Sequence, residues 1–374
     1  MVYLDYYSTS PLEEGAFEAM CPFLKERFYN PLSKNKMGVL IKEEIEVARS
    51  KVANLINANN DEIIFTSSGT ESNNAIIKGL SFAYKKNGKH IITSKSEHHS
   101  VLNPLRSLER IGFYVTFLSP DKYGEIKPSF VESALRDDTM LVSINFGSVD
   151  VGTINNIKEI SKILRNKGVL FHVDAVAAVG NIHVDVKSLG VDSLSFSSHI
   201  FGGPKGVGGF YLKDGLRFMP LIYGGPQEFG KRAGTENVAG IVGTGVAAEL
   251  SMLNLDNRIK KRNKAIDEIK KIFSFDGIEM VGKDFERLPG HLSFIIDGIK
   301  SESMIAYLEE SDIYVSSGSP CVSYALKASP VLISMGYSFE QASSVITLST
   351  SHKTTEDEIG YFLDIFGKAL KNLR

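Results

Sequence analysis

Short runs of β-branched and aromatic residues alternate with segments of helical period through the first 212 residues. The runs are Glu62–Thr66, His90–Lys95, Tyr114–Ser119, Met140–Phe146, Val169–Ala175, Ser193–Ser198 and Gly208–Leu212. Seven such runs spaced by helices predict an α/β fold built on a seven-stranded, mostly parallel sheet covered on both faces. Between Ile41 and Ile56, the residues Ile41, Ile45, Ala48, Val52 and Leu55 recur at three- and four-residue steps, which places one apolar stripe along a helix.

Around Leu255-Asp256-Asn257 the pattern changes to a basic amphipathic helix, Arg258 to Phe273. Strands near His291–Ile296 and Asp312–Val315 and a last helix, Glu356–Asn372, read as a smaller α+β unit. The expected division is a large domain over 13–255 and a small C-terminal domain over 256–374, which the N-terminal segment 1–12 joins.

Composition narrows the partners. A net charge of -2 and a pI near 6.5 leave no basic footprint for nucleic acid or an anionic membrane, so small molecules or proteins are expected instead. Two cysteines, Cys21 and Cys321, cannot form a multi-bridge disulfide framework or a self-contained four-thiolate cluster. Met1–Asp5 lacks the basic start of a secretory signal, and no apolar run reaches about 18 residues. The expected location is the cytoplasm. Cys21 falls in the helical stretch Glu13–Arg27, where a buried, hydrophobe-like thiol is expected.

Candidate chemistry lies just after the strands, where open α/β sheets bind ligands. Thr66-Ser67-Ser68-Gly69-Thr70-Glu71-Ser72-Asn73-Asn74 is a strand, a small-residue turn and a helix start, which suits a phosphate and equally a plain N-cap. Ser96-Glu97-His98-His99 follows another strand, and His172-Val173-Asp174 ends a third. Further along stand Ser197-Ser198-His199-Ile200-Phe201-Gly202-Gly203-Pro204-Lys205-Gly206, then Gly224-Gly225-Pro226-Gln227-Glu228 and Arg232-Ala233-Gly234-Thr235-Glu236-Asn237. Ser316-Ser317-Gly318-Ser319-Pro320-Cys321 is a small-residue loop before the helix-like Val322–Ala328, a setting that would lower a thiol pKa.

In this order, and over nearly the whole chain, these segments resemble the cysteine desulfurases of the class V aminotransferases. The resemblance implies fold type I of the enzymes dependent on pyridoxal phosphate (PLP), as a homodimer with both active sites at the interface. It implies that Thr70, Ser197 and His199 hold the phosphate, with Thr235 reaching the partner subunit's phosphate. His98 would stack on the pyridine ring and Asp174 would pair with its nitrogen. Cys321 would be the loop cysteine that carries sulfur as a persulfide to a scaffold protein.

Four positions depart from that pattern. Ile200 stands where the family has the lysine that binds the cofactor aldehyde and moves the substrate's proton. Ala177 stands where a glutamine bonds the phenolic oxygen, and Val149, in Ser148-Val149-Asp150, replaces part of an asparagine pair touching the same edge. His352 replaces the arginine that clamps the substrate carboxylate, with Lys353 beside it as a point charge. Lys205 matches a second lysine that coexists with the catalytic one, so it is not expected to substitute.

Three readings remain open. In the first, a degenerate desulfurase homologue serves sulfur transfer or iron–sulfur assembly through Cys321, which carries sulfur supplied from elsewhere or donates one ligand to a cluster shared with a scaffold partner. In the second, an enzyme binds PLP non-covalently and runs a residual reaction with His98 or His199 as base. In the third, the chain is a non-catalytic interaction subunit.

Overall fold

A computed structural model describes residues 1–282, 285–318 and 328–374. All seven expected strands form one sheet, in the order β2-β8-β7-β6-β5-β3-β4. They are β2 (Ile63–Thr66), β3 (His90–Ser94), β4 (Tyr114–Leu118), β5 (Thr139–Asn145), β6 (Leu170–Asp174), β7 (Ser193–Ser197) and β8 (Gly208–Leu212). Only the pairings of β8, with β2 and β7, are antiparallel.

The sheet is apolar on both faces, and its side chains sort by the two-residue period of a strand. Ile92, Val142 and Ile144 enter one core with Ile45, Ala48 and Val52 of α2 (Lys36–Ile56). Ile64, Ile91 and Leu141 enter the opposite one, with Ile76 and Leu80 of α3 (Gly69–Tyr84) and Val101 and Leu105 of α4 (His99–Glu109). The apolar stripe expected on α2 is buried at all five positions.

A third core gathers Leu292, Phe294, Ile346, Phe362 and Phe366 with Val2 and Leu4 from the N-terminus. It lies on a three-stranded antiparallel sheet, β12-β10-β9, of which β10 (His291–Ile296) was expected while β9 (Ile278–Met280) and β12 (Val345–Ser349) were not. The N-terminal strand β1 (Val2–Tyr3) pairs with β11 (Ile313–Tyr314).

Two expectations are corrected. The helix expected from Arg258 begins twenty residues earlier, as α8 (Val238–Ile269). Leu255-Asp256-Asn257 holds no helix breaker, and the change of pattern there marks a change of neighbour: Ile241, Ala247 and Ala248 pack in the large core, Ala265, Ile266 and Ile269 in the small one. With its extension to Ser274, α8 is long and apolar enough to cross a membrane, but just over half of its most apolar stretch is buried inside the protein. Cys21, in α1 (Glu14–Lys25), is exposed, because α1 buries only Ala16.

Candidate active site

The carboxyl ends of β3, β5, β6 and β7 and the first turn of α3 face one cavity of about 1180 Å³. β3 has β4 on one side and β5 on the other, so successive crossovers leave in opposite directions and open a crevice there. Eight of the residues singled out in the sequence line this cavity: Thr70, His98, Asp174, Ser197, His199, Ile200, Ala177 and Val149.

Its polar end is built around the N-terminus of α3. Ser68 caps the helix by accepting from the Glu71 N–H, which leaves the first-turn N–H groups and the Thr70 hydroxyl at the cavity. A Cβ on Gly69 would lie 2.7 Å from Val176 Cγ2 and 3.4 Å from Ser197 Cβ, so glycine is what lets this backbone approach β7. His199 shares a 3.1 Å hydrogen bond with Thr9 Oγ1, and burial, then Lys205, pushes its pKa down. Helix N–H groups, two hydroxyls and an imidazole form a donor set that fits the phosphate of PLP.

Asp174 ends β6 at the same cavity. Asn73 Nδ2 donates to its Oδ2 at 2.8 Å, and the Val176 N–H donates to its Oδ1 at 3.0 Å. Burial raises its pKa against the pull of that N–H, of His98 and of Asn73. Glu97 is raised well above the usual carboxylate range, by burial and then by Asp174. Glu97 Oε1 accepts from the N–H and Nδ2 of Asn145, whereas its buried Oε2 has no partner among the described residues. His98 caps α4, its Nδ1 accepting from the Ser100 N–H at 3.1 Å, which orients the ring and leaves Nε2 to carry the proton of the neutral form.

Asn73 ties these groups together. The same Nδ2 lies 2.8 Å from Ser100 Oγ, itself 2.7 Å from His98 Nδ1, and Asn73 Oδ1 accepts from Ser195 Oγ. Ser195 Oγ lies 3.4 Å from Nε2 of fully buried His172, whose pKa burial lowers to about 3.

Part of the wall is hydrocarbon. Ala177 packs with Tyr7 and Leu288, and Val149 joins them at the edge. Ile200 is 6% exposed and lines both this cavity and a second one of about 60 Å³. His352 belongs to that second cavity and not to the first. Its Nε2 is 3.9 Å from Glu13 Oε1, and burial followed by Arg258 lowers its pKa to about 4, so it is neutral near pH 7.

Thr235 is exposed and lines neither cavity of its own chain, and Lys205 is exposed away from both. Cys321, with the helix-like run after it, lies outside the described residues. Its described flanks meet the large cavity: Ala328 lines it, and a Cβ on Gly318 would lie 2.6 Å from Oδ1 of the lining residue Asp150.

Sequence reasoning passed over Glu97, Asn145, Asn73 and Tyr7. The first three carried a usable signal, as polar residues at strand ends or in a quoted turn. Tyr7 carried none, since its place depends on the N-terminus folding back to donate from Oη to the Pro289 carbonyl at 3.0 Å.

The family model described as aminotransferase class-V matches residues 2–362. The chain is 46% identical to a cysteine desulfurase IscS of Dictyoglomus turgidum, with all of this chain and 95% of the relative covered. It is 41% identical to a cysteine desulfurase IscS of Clostridium botulinum, with the same shares covered. A solved NifS-like protein superposes with a TM-score of 0.94 at 34% identity, covering 99% of both chains.

Proposed function

Since the chain belongs to the class V aminotransferase family, among homologues named cysteine desulfurase, we propose that it is a degenerate cysteine desulfurase homologue acting in sulfur transfer or iron–sulfur cluster assembly through Cys321. The observation that carries this reading is one cavity lined by the α3 N-terminus, Thr70, Ser197 and His199, a set that suits a phosphate, and also by the hydrocarbon of Ile200, Val149 and Ala177. PLP, when bound, supplies an electron sink for a substrate's α-carbon.

The residues of this chain divide the work unequally. The α3 N-terminus, Thr70, Ser197 and His199 would hold the phosphate, His98 would cover one ring face and Asp174 would face the ring nitrogen. Ile200 has no amine, so it neither holds the cofactor covalently nor moves a proton. Val149 and Ala177 exclude water without donating a hydrogen bond. His352, neutral and outside the large cavity, cannot clamp a carboxylate as an arginine fork does. Losing the lysine's acid–base role alone removes about 10²–10⁴-fold of rate.

Cys321 is the functional thiol in this reading, because both described flanks of its segment meet the cavity. A homodimer would bring Thr235 of each subunit to the other's phosphate cradle, and a scaffold or sulfur-acceptor protein is the proposed partner. The intact cradle also supports the second reading, an altered reaction with PLP held non-covalently.

The test combines two measurements. Protein mixed with PLP and reduced with borohydride should keep its unmodified mass, and a small-molecule persulfide donor should add one sulfur atom to Cys321 by peptide mapping. Sulfide release from cysteine at the rate of an active desulfurase would overturn the reading. So would a reduced PLP adduct on Lys205.

A further inference from the structure

The second cavity lies behind Ile200, between α8 and the residues Thr350–Lys353. Arg262 is 7% exposed, and its guanidinium carbon lies 4.7 Å from the centre of the Tyr7 ring. Its Nε donates to the Thr350 carbonyl at 2.8 Å and its Nη1 to Asn181 Oδ1, both neutral acceptors. No carboxylate lies within ion-pair distance of it among the described residues. The carboxylate lining the cavity is Glu13, already shared between Arg258 Nη2 at 2.9 Å and Lys353 Nζ at 3.0 Å.

Among the described residues, three side-chain cations thus line the cavity against one carboxylate, an excess of two positive charges. A buried cation without a counter-charge is costly, and N–H groups of Arg258 and Arg262 remain beyond those used on protein acceptors. The depressed pKa of His352, to which Arg258, Lys353 and Arg262 all contribute after burial, reports the same positive field. The volume, about 60 Å³, is room enough for a compact ion.

We propose that this cavity is a binding site for one compact monovalent anion of halide or hydrosulfide size, held by Arg258 and Arg262 beneath Ile200. Guanidinium suits that role because it is weakly hydrated and presents its donors in a rigid plane. The site stands on its own residues and does not depend on whether the large cavity holds PLP.

The test uses the full-length protein. Crystals soaked in sodium bromide should show an anomalous peak in this cavity. In solution the melting temperature should rise saturably with bromide or chloride when ionic strength is held constant with gluconate. Arg258→Met and Arg262→Met should each weaken the apparent bromide affinity at least tenfold. Arg262→Lys keeps the charge and should retain saturable binding, which covers the case that Arg262→Met does not fold. Anaerobic sodium hydrosulfide should displace bromide if sulfide is the physiological occupant, whereas displacement by chloride alone assigns the site to a halide. Absence of an anomalous peak in this cavity would overturn the proposal. So would a linear salt response shared by the wild type and Arg258→Met.

Discussion

Ile200 decides whether the large cavity is decayed or merely lacks its amine. With Asp174 held by Asn73 and the Gly69 approach intact, an amine at position 200 should reach the aldehyde of bound PLP. Ile200→Lys is expected to trap PLP under borohydride as a stable mass gain, while cysteine turnover stays low because Ala177, Val149 and His352 are unchanged. One restored charged contact is worth about 1.5–3 kcal/mol, so His352→Arg added to that variant should recover one to two decades of turnover at most. A failure of Ile200→Lys to capture PLP would mean that the cradle does not bind phosphate. His172 supplies a second residue-scale prediction. Its pKa is near 6.5 unfolded and about 3 folded, so the unfolded chain binds the extra proton between those values. Stability present above about pH 6.5 is therefore lost as pH falls toward 3, by about 1.4 kcal/mol per pH unit for this residue. Urea melts at several pH values should show His172→Gln with a slope shallower by about that amount.

Among the elements, the segment that carries Thr235 is anchored by one buried ion pair. Arg49 of α2 donates from Nη1 to Glu228 Oε2 at 2.7 Å and from Nη2 to Oε1 at 2.9 Å, and the Phe65 N–H of β2 donates to Oε2 at 2.7 Å. The Arg49 guanidinium lies 5.0 Å from both the Phe65 and the Phe229 ring centres. Glu228 and Phe229 both have positive φ, 46° and 56°, a strain that persists only where surrounding contacts over-determine it. Arg49→Met should cost about 3–5 kcal/mol, because it strands a buried carboxylate, and Arg49→Met with Glu228→Leu should recover much of that. The urea midpoints of the single and double variants check this. A double variant no more stable than the single one would show that the loop, not the charge, sets the cost.

For the whole molecule, the expected state is a dimer. Leu24, Phe28, Tyr223 and Leu253 are each at least 66% exposed in the isolated chain, on or beside α1, α8 and the segment leading to Thr235. Obligate interfaces of this kind bury ~2,000 Å² or more. Analytical ultracentrifugation at micromolar concentration should give twice the chain mass, and Leu253→Asp should shift it toward monomer. A monomeric wild type would leave Thr235 without a pocket to serve.

The periodicity of the chain was enough to predict the seven strands, the stripe on α2 and the residues at the strand ends, because two- and 3.6-residue repeats are local and face a core whatever its details. Eight site residues from five separate segments then fell on one cavity, as strand-end chemistry in a parallel sheet requires. Other features needed the tertiary structure. The continuity of α8 through Leu255, the exposure of Cys21 and the assignment of His352 to a different cavity from Asp174 depend on which surfaces meet. So does the pairing of Arg49 with Glu228, 179 residues apart. Burial and counter-charge are properties of neighbours in space. The sequence named the titratable groups, but only packing decided that the Glu97 pKa is raised, that His172 and His352 stay neutral and that Arg262 has no carboxylate beside it among the described residues.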